Sequence, residues 1–158
     1  MKITLQKYEE KIKEYMVQNN VQGEHLTFEQ SCHSVEAAAK AVEATPEDLV
    51  KNICLVDGEG RLIIAIVKGE DRVSTKRCGK ALGINTPKIA NPEEVLAKSG
   101  YPAGGVPSFG FNGVFLIDPK VLEKDYVYTG GGSTSSLVKI SSEELQRVNQ
   151  GQVVRIRK

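Results

Sequence analysis

The sequence predicts an α/β fold, one domain spanning residues 1–158 with a mixed central sheet of about seven strands and flanking helices. Three observations carry this expectation. The stretch LIIAIV, Leu62 to Val67, is apolar on both faces, which suits a strand at the centre of a sheet. It follows Val50 to Val56 across Asp57-Gly58-Glu59-Gly60, a hairpin signal. Capped helical stretches then alternate with further short apolar runs to the end of the chain. At 158 residues and 40% hydrophobic content the chain can bury a core of its own.

In order, Leu5, Tyr8, Ile12, Tyr15 and Met16 recur at three- and four-residue steps and predict an amphipathic helix over 5–19 that packs on the core. Leu26 and Phe28 alternate with polar neighbours in a short strand. Ser34 caps the alanine-rich VEAAAKAVEA. Thr45-Pro46-Glu47-Asp48 has the cap, the first-turn proline and the acid of another helix start. After the hairpin, Ser74 opens a helix carrying Lys76, Arg77 and Lys80 that Gly83 ends, and Asn91-Pro92-Glu93-Glu94 opens one that Gly100 ends. Val114 to Ile117 is an apolar strand, and Asp118-Pro119 starts a short helical turn. Tyr126 to Thr129 and Leu137 to Ile140 read as strands on either side of a glycine run. Ser141 or Ser142 caps a last helix, and Val153 to Ile156 closes the sheet.

The net charge of +1 points to no polyanionic or polycationic partner, but its distribution is uneven. Residues 1–50 hold five Lys/Arg against nine Asp/Glu, and residues 51–158 hold sixteen against eleven. The basic part permits phosphate contact without requiring it. Cys32, Cys54 and Cys78 are odd in number and lack a C-x-x-C, which argues against a disulfide framework and for a reducing, cytoplasmic setting. No apolar run approaches the ~20 residues that span a bilayer, and MKITLQKYEEKIKEY is too polar for a secretory signal.

Four features could carry chemistry. GYPAGGVPSFGFNG, residues 100–113, has five glycines, two prolines and no charge in a chain that is 26% charged. Such a loop either cradles a ligand's polar groups against its main chain or simply connects two elements. Lys51 stands in an apolar strand, where its ammonium could hold a phosphate or a developing oxyanion; the alternative is a lysine on a sheet edge. Gly130 to Gly132 followed by Ser133-Thr134-Ser135-Ser136 could form an anion nest or a plain hairpin connection. Lys68, Arg72, Lys76, Arg77 and Lys80 could follow a nucleic-acid backbone or form a solvated helix face. Neither a P-loop nor a G-x-S-x-G elbow is present. Cys32 and His33 adjoin in sequence, which does not make a catalytic pair, and His25 and His33 have no zinc spacing.

These segments, in this order, resemble the YbaK/ProX family of aminoacyl-tRNA deacylases, relatives of the editing domain inserted in bacterial prolyl-tRNA synthetases. The resemblance runs from about Leu26 to the end through SVEAAAKAVEA, VKNICLV, SGYPAGGVPSFG and YTGGGSTSSLVKI. It implies a curved sheet and a pocket in which the ester of a mischarged tRNA is hydrolysed in trans. Lys51 matches the family's strand lysine, which holds the 3′ end near its phosphate. Gly104 and Gly105 match the loop that fixes the ester, with Ser108, Phe109 and Gly110 continuing it towards the substrate. Gly131 and Gly132 match the later glycine run of the same pocket, and Phe28 falls where a ring often lines its wall. Arg72, Lys76, Arg77 and Lys80 remain candidates for the tRNA backbone.

The implied mechanism uses no covalent nucleophile: the ester is already activated, and positioning with oxyanion stabilisation supplies the acceleration. No metal and no cofactor is expected. The partners implied are the acceptor end of aminoacyl-tRNA and, as a second partner, an aminoacyl-tRNA synthetase. Asn52 stands where the family has threonine, and Ser108 where many members have proline, with Pro107 displaced by one. The alternative is a non-catalytic module that binds an aminoacyl or nucleotide-like ligand and docks on a synthetase. A metal or thiol hydrolase, the third reading, requires sensitivity to a chelator or to substitution of Cys32.

Overall fold

The computed structural model describes residues 2–158 apart from Gln30 and His33, and side chains from Gln6 onwards. The α/β class is as expected, but the single sheet is not. Two sheets form. Strands β1 (Gly23–Thr27), β6 (Tyr126–Gly130) and β7 (Ser136–Ser141) make an antiparallel sheet in the order β1-β7-β6. Strands β2 (Val50–Val56), β3 (Leu62–Lys68), β4 (Lys88–Ile89), β5 (Val114–Ile117) and β8 (Gln152–Val153) make a mixed sheet in the order β4-β2-β3-β5-β8. Within it β3 pairs antiparallel with β2 and parallel with β5. The sheets touch through a bridge between Leu49 and Tyr128, just before β2.

The two-sheet arrangement follows from where the apolar residues must go. All seven positions of β3 are buried. Leu62, Ile64 and Ile66 join one core with Val50 and Cys54, whereas Ile63, Ala65 and Val67 join a second core with Leu55, Cys78 and Ile156. Each fully buried isoleucine contributes about 1.5–3 kcal/mol, so a register slip in β3 would lose several such terms at once. The first core also takes Val127, Val138 and Ile140 from the three-stranded sheet, whose inner face therefore packs on the larger sheet rather than extending it.

Among the described residues, five α-helices flank the sheets: α1 (Lys2–Gln18), α2 (Val35–Ala41), α3 (Thr75–Leu82), α4 (Pro92–Ser99) and α5 (Ser142–Asn149). The caps read from sequence form. Ser34, Ser74 and Ser141 accept from Ala37, Arg77 and Glu144 N–H groups at 3.1, 3.2 and 3.0 Å. Asn91 and Glu94 close a reciprocal box, and Gly83 and Gly100 end their helices in the left-handed region.

Two expectations need correction, and one short strand, β4, was not expected. Pro46–Asp48 is a 3-10 turn of three residues, because Leu49 must turn at once into the bridge with Tyr128. The two-residue strand β4 between Pro87 and Pro92 is too short to show alternation. The last strand stops at Val153, not Ile156. The Ile156 and Arg157 N–H groups turn away from the ladder to the buried Asp118 carboxylate at 3.0 and 3.1 Å, and the Arg157 guanidinium joins them at 2.8 Å. Burial pushes the Asp118 carboxyl up, but these donors and the Lys120 N–H outweigh it and hold it below the usual carboxylate range.

Glu144 makes a measurable acid limb. Its carboxylate binds Arg147 through two contacts, 2.5 and 2.8 Å, and accepts the Gln22 N–H at 2.7 Å, tying α5 to the approach to β1. The arginine lowers its pKa from 4.5 to about 2. A carboxyl depressed by folding stabilises the native state above its unfolded pKa and loses that contribution as pH falls through the folded one. Acid unfolding of Glu144→Gln should therefore show a shallower stability loss than the wild type between about pH 4.5 and about pH 2. Superimposable acid limbs in the two proteins would refute this.

Candidate active site

The five-stranded sheet leaves one edge partly open. β4 pairs only with Leu55 and Val56, and the Ala90 N–H reaches the Cys54 carbonyl at 2.9 Å. Val50 to Ile53 continue beyond it with their outer edge facing a cavity of about 330 Å³. Main-chain groups alternate sides along a strand, so the N–H and C=O of Asn52 share the edge that Cys54 offers to Ala90.

The walls are mostly apolar. Cys32, Val35, Ala38, Leu49 and Leu137 form one side, where α2 lies against β7. Ile89, Ala90 and Val95 form another, and Ala103, Gly104, Val106 and Gly130 close the space. Among the described residues, Lys51 supplies the lining's one cationic side chain, and no carboxylate belongs to it.

Lys51 is half-buried and has no ion-pair partner within reach among the described residues. Burial pushes its ammonium below the ordinary lysine value; Asp71 opposes this, Arg72 adds to it and Glu36 opposes it. The two thiols of the cavity are held in the protonated form, since burial raises Cys32 and takes Cys54 to about 11. A protonated thiol is a poor nucleophile. Ser34 is engaged as the cap of α2.

The glycine segments meet as the sequence suggested, although their residues divide the work differently. Gly104 lines the cavity, and Gly105 packs behind it, its carbonyl accepting from the Gly132 N–H at 2.8 Å. Gly130, rather than Gly131 or Gly132, faces the cavity. A methyl group on Gly132 would meet the Tyr8 carbonyl oxygen at 2.6 Å, and Gly131 offers its carbonyl to His25 Nε2 at 2.8 Å. Ser108, Phe109 and Gly110 are not among the cavity's lining residues. Phe109 is 1% exposed and stacks on Tyr15 at 6.0 Å, and Gly110 faces Ile12. Phe28 sits just past β1 and packs on the cluster of Cys32, Ala38 and Leu137, behind the wall. His33 lies outside the described residues.

Asn52, read from the sequence only as a departure, is a lining residue. Its amide donates to the Val106 carbonyl at 2.9 Å and to Thr129 Oγ1 at 2.8 Å. Its Oδ1 accepts from the Ser108 hydroxyl at 2.7 Å, and Ser108 and Thr129 hydroxyls are 2.7 Å apart. Ser108 spends its one proton on Asn52, so Thr129 donates to Ser108 and the ring of three closes. Both departures thus belong to one buried hydrogen-bond ring that holds the glycine-rich loop against β2 and β6.

The basic residues separate. Lys68 is buried and paired with Glu70 at 3.2 Å. Lys76, Arg77 and Lys80 line a second cleft of about 380 Å³ with Ser74 and Lys158. Arg72 borders it through the main chain, its carbonyl accepting the Lys158 N–H at 2.8 Å.

A family model for the aminoacyl-tRNA editing domain matches residues 29–148. The chain belongs to this family. The editing domain is 26% identical over 145 residues to the uncharacterized protein YwhH of Bacillus subtilis (strain 168), covering 90% of this chain and 91% of that one. It is 32% identical over 89 residues to a proline--tRNA ligase of Moorella thermoacetica, covering 56% of this chain but 15% of the ligase. In fold it is similar to a solved structure described as a candidate trans-editing enzyme for prolyl tRNA synthetase, with a TM-score of 0.88, 23% identity and coverage of 96% of this chain and 97% of that one. Among the described residues, no helix of the editing domain is long and apolar enough to cross a membrane.

Proposed function

We propose that this domain hydrolyses the ester of mischarged aminoacyl-tRNA in trans. The observation that carries the reading is the cavity itself. It is small and apolar, bounded by the main chain of Gly104 and Gly130, and among the described residues its lining has Lys51 as the lone charge and no competent nucleophile. An uncharged amino-acid side chain fits the apolar wall, and Lys51 suits the terminal phosphate or the oxyanion that forms as the carbonyl is attacked. Water adds to the ester carbonyl and the tetrahedral adduct expels the ribose oxygen, which takes a proton. The products are a free amino acid and an uncharged tRNA. Gly104 and Gly105 fix the ester, and Gly131 and Gly132 support that loop from behind.

The tRNA backbone is assigned to the second cleft, where Lys76, Arg77 and Lys80 gather with Lys158, and to neighbouring Arg72. Their contacts would add affinity and salt dependence rather than sequence choice. A small cavity alone separates similar amino acids by only ~1–3 kcal/mol, which is the reason a second, hydrolytic sieve is useful after a synthetase.

The test is release of amino acid from tRNAs charged with alanine, cysteine, proline, serine or threonine, comparing wild type with Ala103→Trp. Ala103 is exposed at the cavity, so the indole blocks entry without disturbing the core. Turnover of at least one ester, lost in the blocked variant, is expected. Binding of charged tRNA without turnover would establish a non-catalytic module instead, and equal turnover in both proteins would place the chemistry elsewhere.

A further inference from the structure

Helix α1 precedes the stretch matched by the family model, yet it touches both glycine segments of the cavity. Lys11 Nζ donates to the Gly100 carbonyl at 3.3 Å and lies over the Tyr101 ring at 4.7 Å. Ile12 is fully buried against Gly110, and the main chain of Tyr8 sits on Gly132, whose φ of 101° keeps the turn in the glycine-favoured region.

Between these contacts lies a buried carboxylate. Glu9 is 9% exposed, and its Oε2 accepts from the Ser133 hydroxyl at 2.7 Å. The Ser133 hydroxyl has one proton. Once it is given to Glu9, Ser133 Oγ can only accept, and it has two donors in place: the Ser135 N–H at 3.2 Å and the Ser136 hydroxyl at 2.8 Å. Ser136 Oγ in turn accepts the Ser133 N–H at 3.1 Å. The carboxylate therefore takes the Ser133 hydroxyl proton and leaves Ser133 Oγ as the acceptor within the turn, for the Ser135 N–H and the Ser136 hydroxyl, with the Ser135 hydroxyl 3.5 Å away.

The same turn carries the cavity wall. The Gly132 N–H bonds the Gly105 carbonyl, and a methyl group on Gly105 would meet the Ser133 nitrogen at 2.8 Å. Gly104 and Gly130, one residue from Gly105 and two from Gly132, line the cavity. We infer that Glu9 is a positioning residue for the editing site: it fixes the glycine–serine turn and, through the Gly132–Gly105 bond, the loop that holds the ester. The inference rests on the proposed hydrolysis for its catalytic consequence, but its structural half stands in the free protein.

Two measurements test the halves separately. Amide hydrogen exchange on the free protein reads the Gly132 N–H directly. Glu9→Ala should speed its exchange at least tenfold, Glu9→Gln, which keeps an acceptor for Ser133, should largely restore protection, and the exposed Glu10→Ala should leave it unchanged. In deacylation, Glu9→Ala should lower kcat about tenfold or more with KM little altered, because the ester is held out of line rather than unbound. Ser133→Ala should reproduce both effects and serves if Glu9→Ala fails to fold. Wild-type protection of Gly132 in Glu9→Ala, or in Ser133→Ala, overturns the inference. Absence of turnover in the wild type with faster exchange in the variants overturns the hydrolase reading and leaves the coupling of Glu9 to the turn established.

Discussion

Gly130→Ala is expected to lower the stability of the domain by about 3 kcal/mol, the upper end of what overpacking a core costs. The added methyl group would overlap the Val106 carbonyl oxygen, with the Val106 carbonyl carbon at 2.7 Å and the Gly105 carbonyl carbon at 3.1 Å. All of these are main-chain atoms. A flexible side chain could swing aside, but here β6 and the glycine-rich loop must separate. That separation would strain the Asn52 bond to the Val106 carbonyl and the Gly132 bond to Gly105. Because Gly130 also lines the cavity, activity should fall further than the folded fraction alone explains. Gly58→Ala is the control, since nothing lies within 4 Å of the new methyl group. Thermal unfolding decides the matter: a Gly130→Ala midpoint equal to that of Gly58→Ala would show that the two segments do not interlock as described.

This close approach was only half legible in the sequence. Two glycine runs separated by about twenty residues signal tight main-chain packing, and Lys51 in an apolar strand signals a cleft at its edge. Both are local features, and both lead to the cavity. The partner of each glycine is a long-range fact. Nothing in the spacing of Gly130 to Gly132 says that the first faces the cavity and the third faces α1. Asn52 and Ser108 were visible as two separate departures, yet 56 residues separate the two ends of their hydrogen bond, so their compensation emerges only in the folded chain.

Phe109 shows the reverse. The resemblance carried it towards the substrate, whereas in the folded chain its ring packs on Tyr15 in the core. The division into two sheets escaped for a related reason. Alternation identifies strands and their apolar faces, whereas it does not report whether the hairpin of β6 and β7 joins a sheet at its edge or packs on its face. Central β3, buried at every position, was the clearest element in both views because its pattern leaves no polar side to expose.

The largest effect on function is expected from Lys51. Lys51→Met should reduce kcat/KM for deacylation by roughly 10²–10³-fold, the range for removing one donor to a developing oxyanion, or about 2.7–4 kcal/mol. The division of that loss identifies the role. A fall in kcat at constant KM means that the ammonium acts in the transition state, whereas a rise in KM alone means that it holds the tRNA end equally before and during reaction. Stability should move the other way. The folded pKa of Lys51 is lowered, chiefly by burial, so its charged form is disfavoured in the native state. A lysine of this kind makes the native protein gain stability as pH rises from the folded pKa towards the unfolded 10.5, where the unfolded chain holds the extra proton. Below the folded pKa the burden is fully present, and there Lys51→Met should unfold at the wild-type temperature or above it. A variant that is both less active and equally or more stable marks a residue kept for its charge in the cavity. Undiminished kcat/KM in Lys51→Met would remove the lysine from the mechanism, and a lowered unfolding temperature would assign it to the fold.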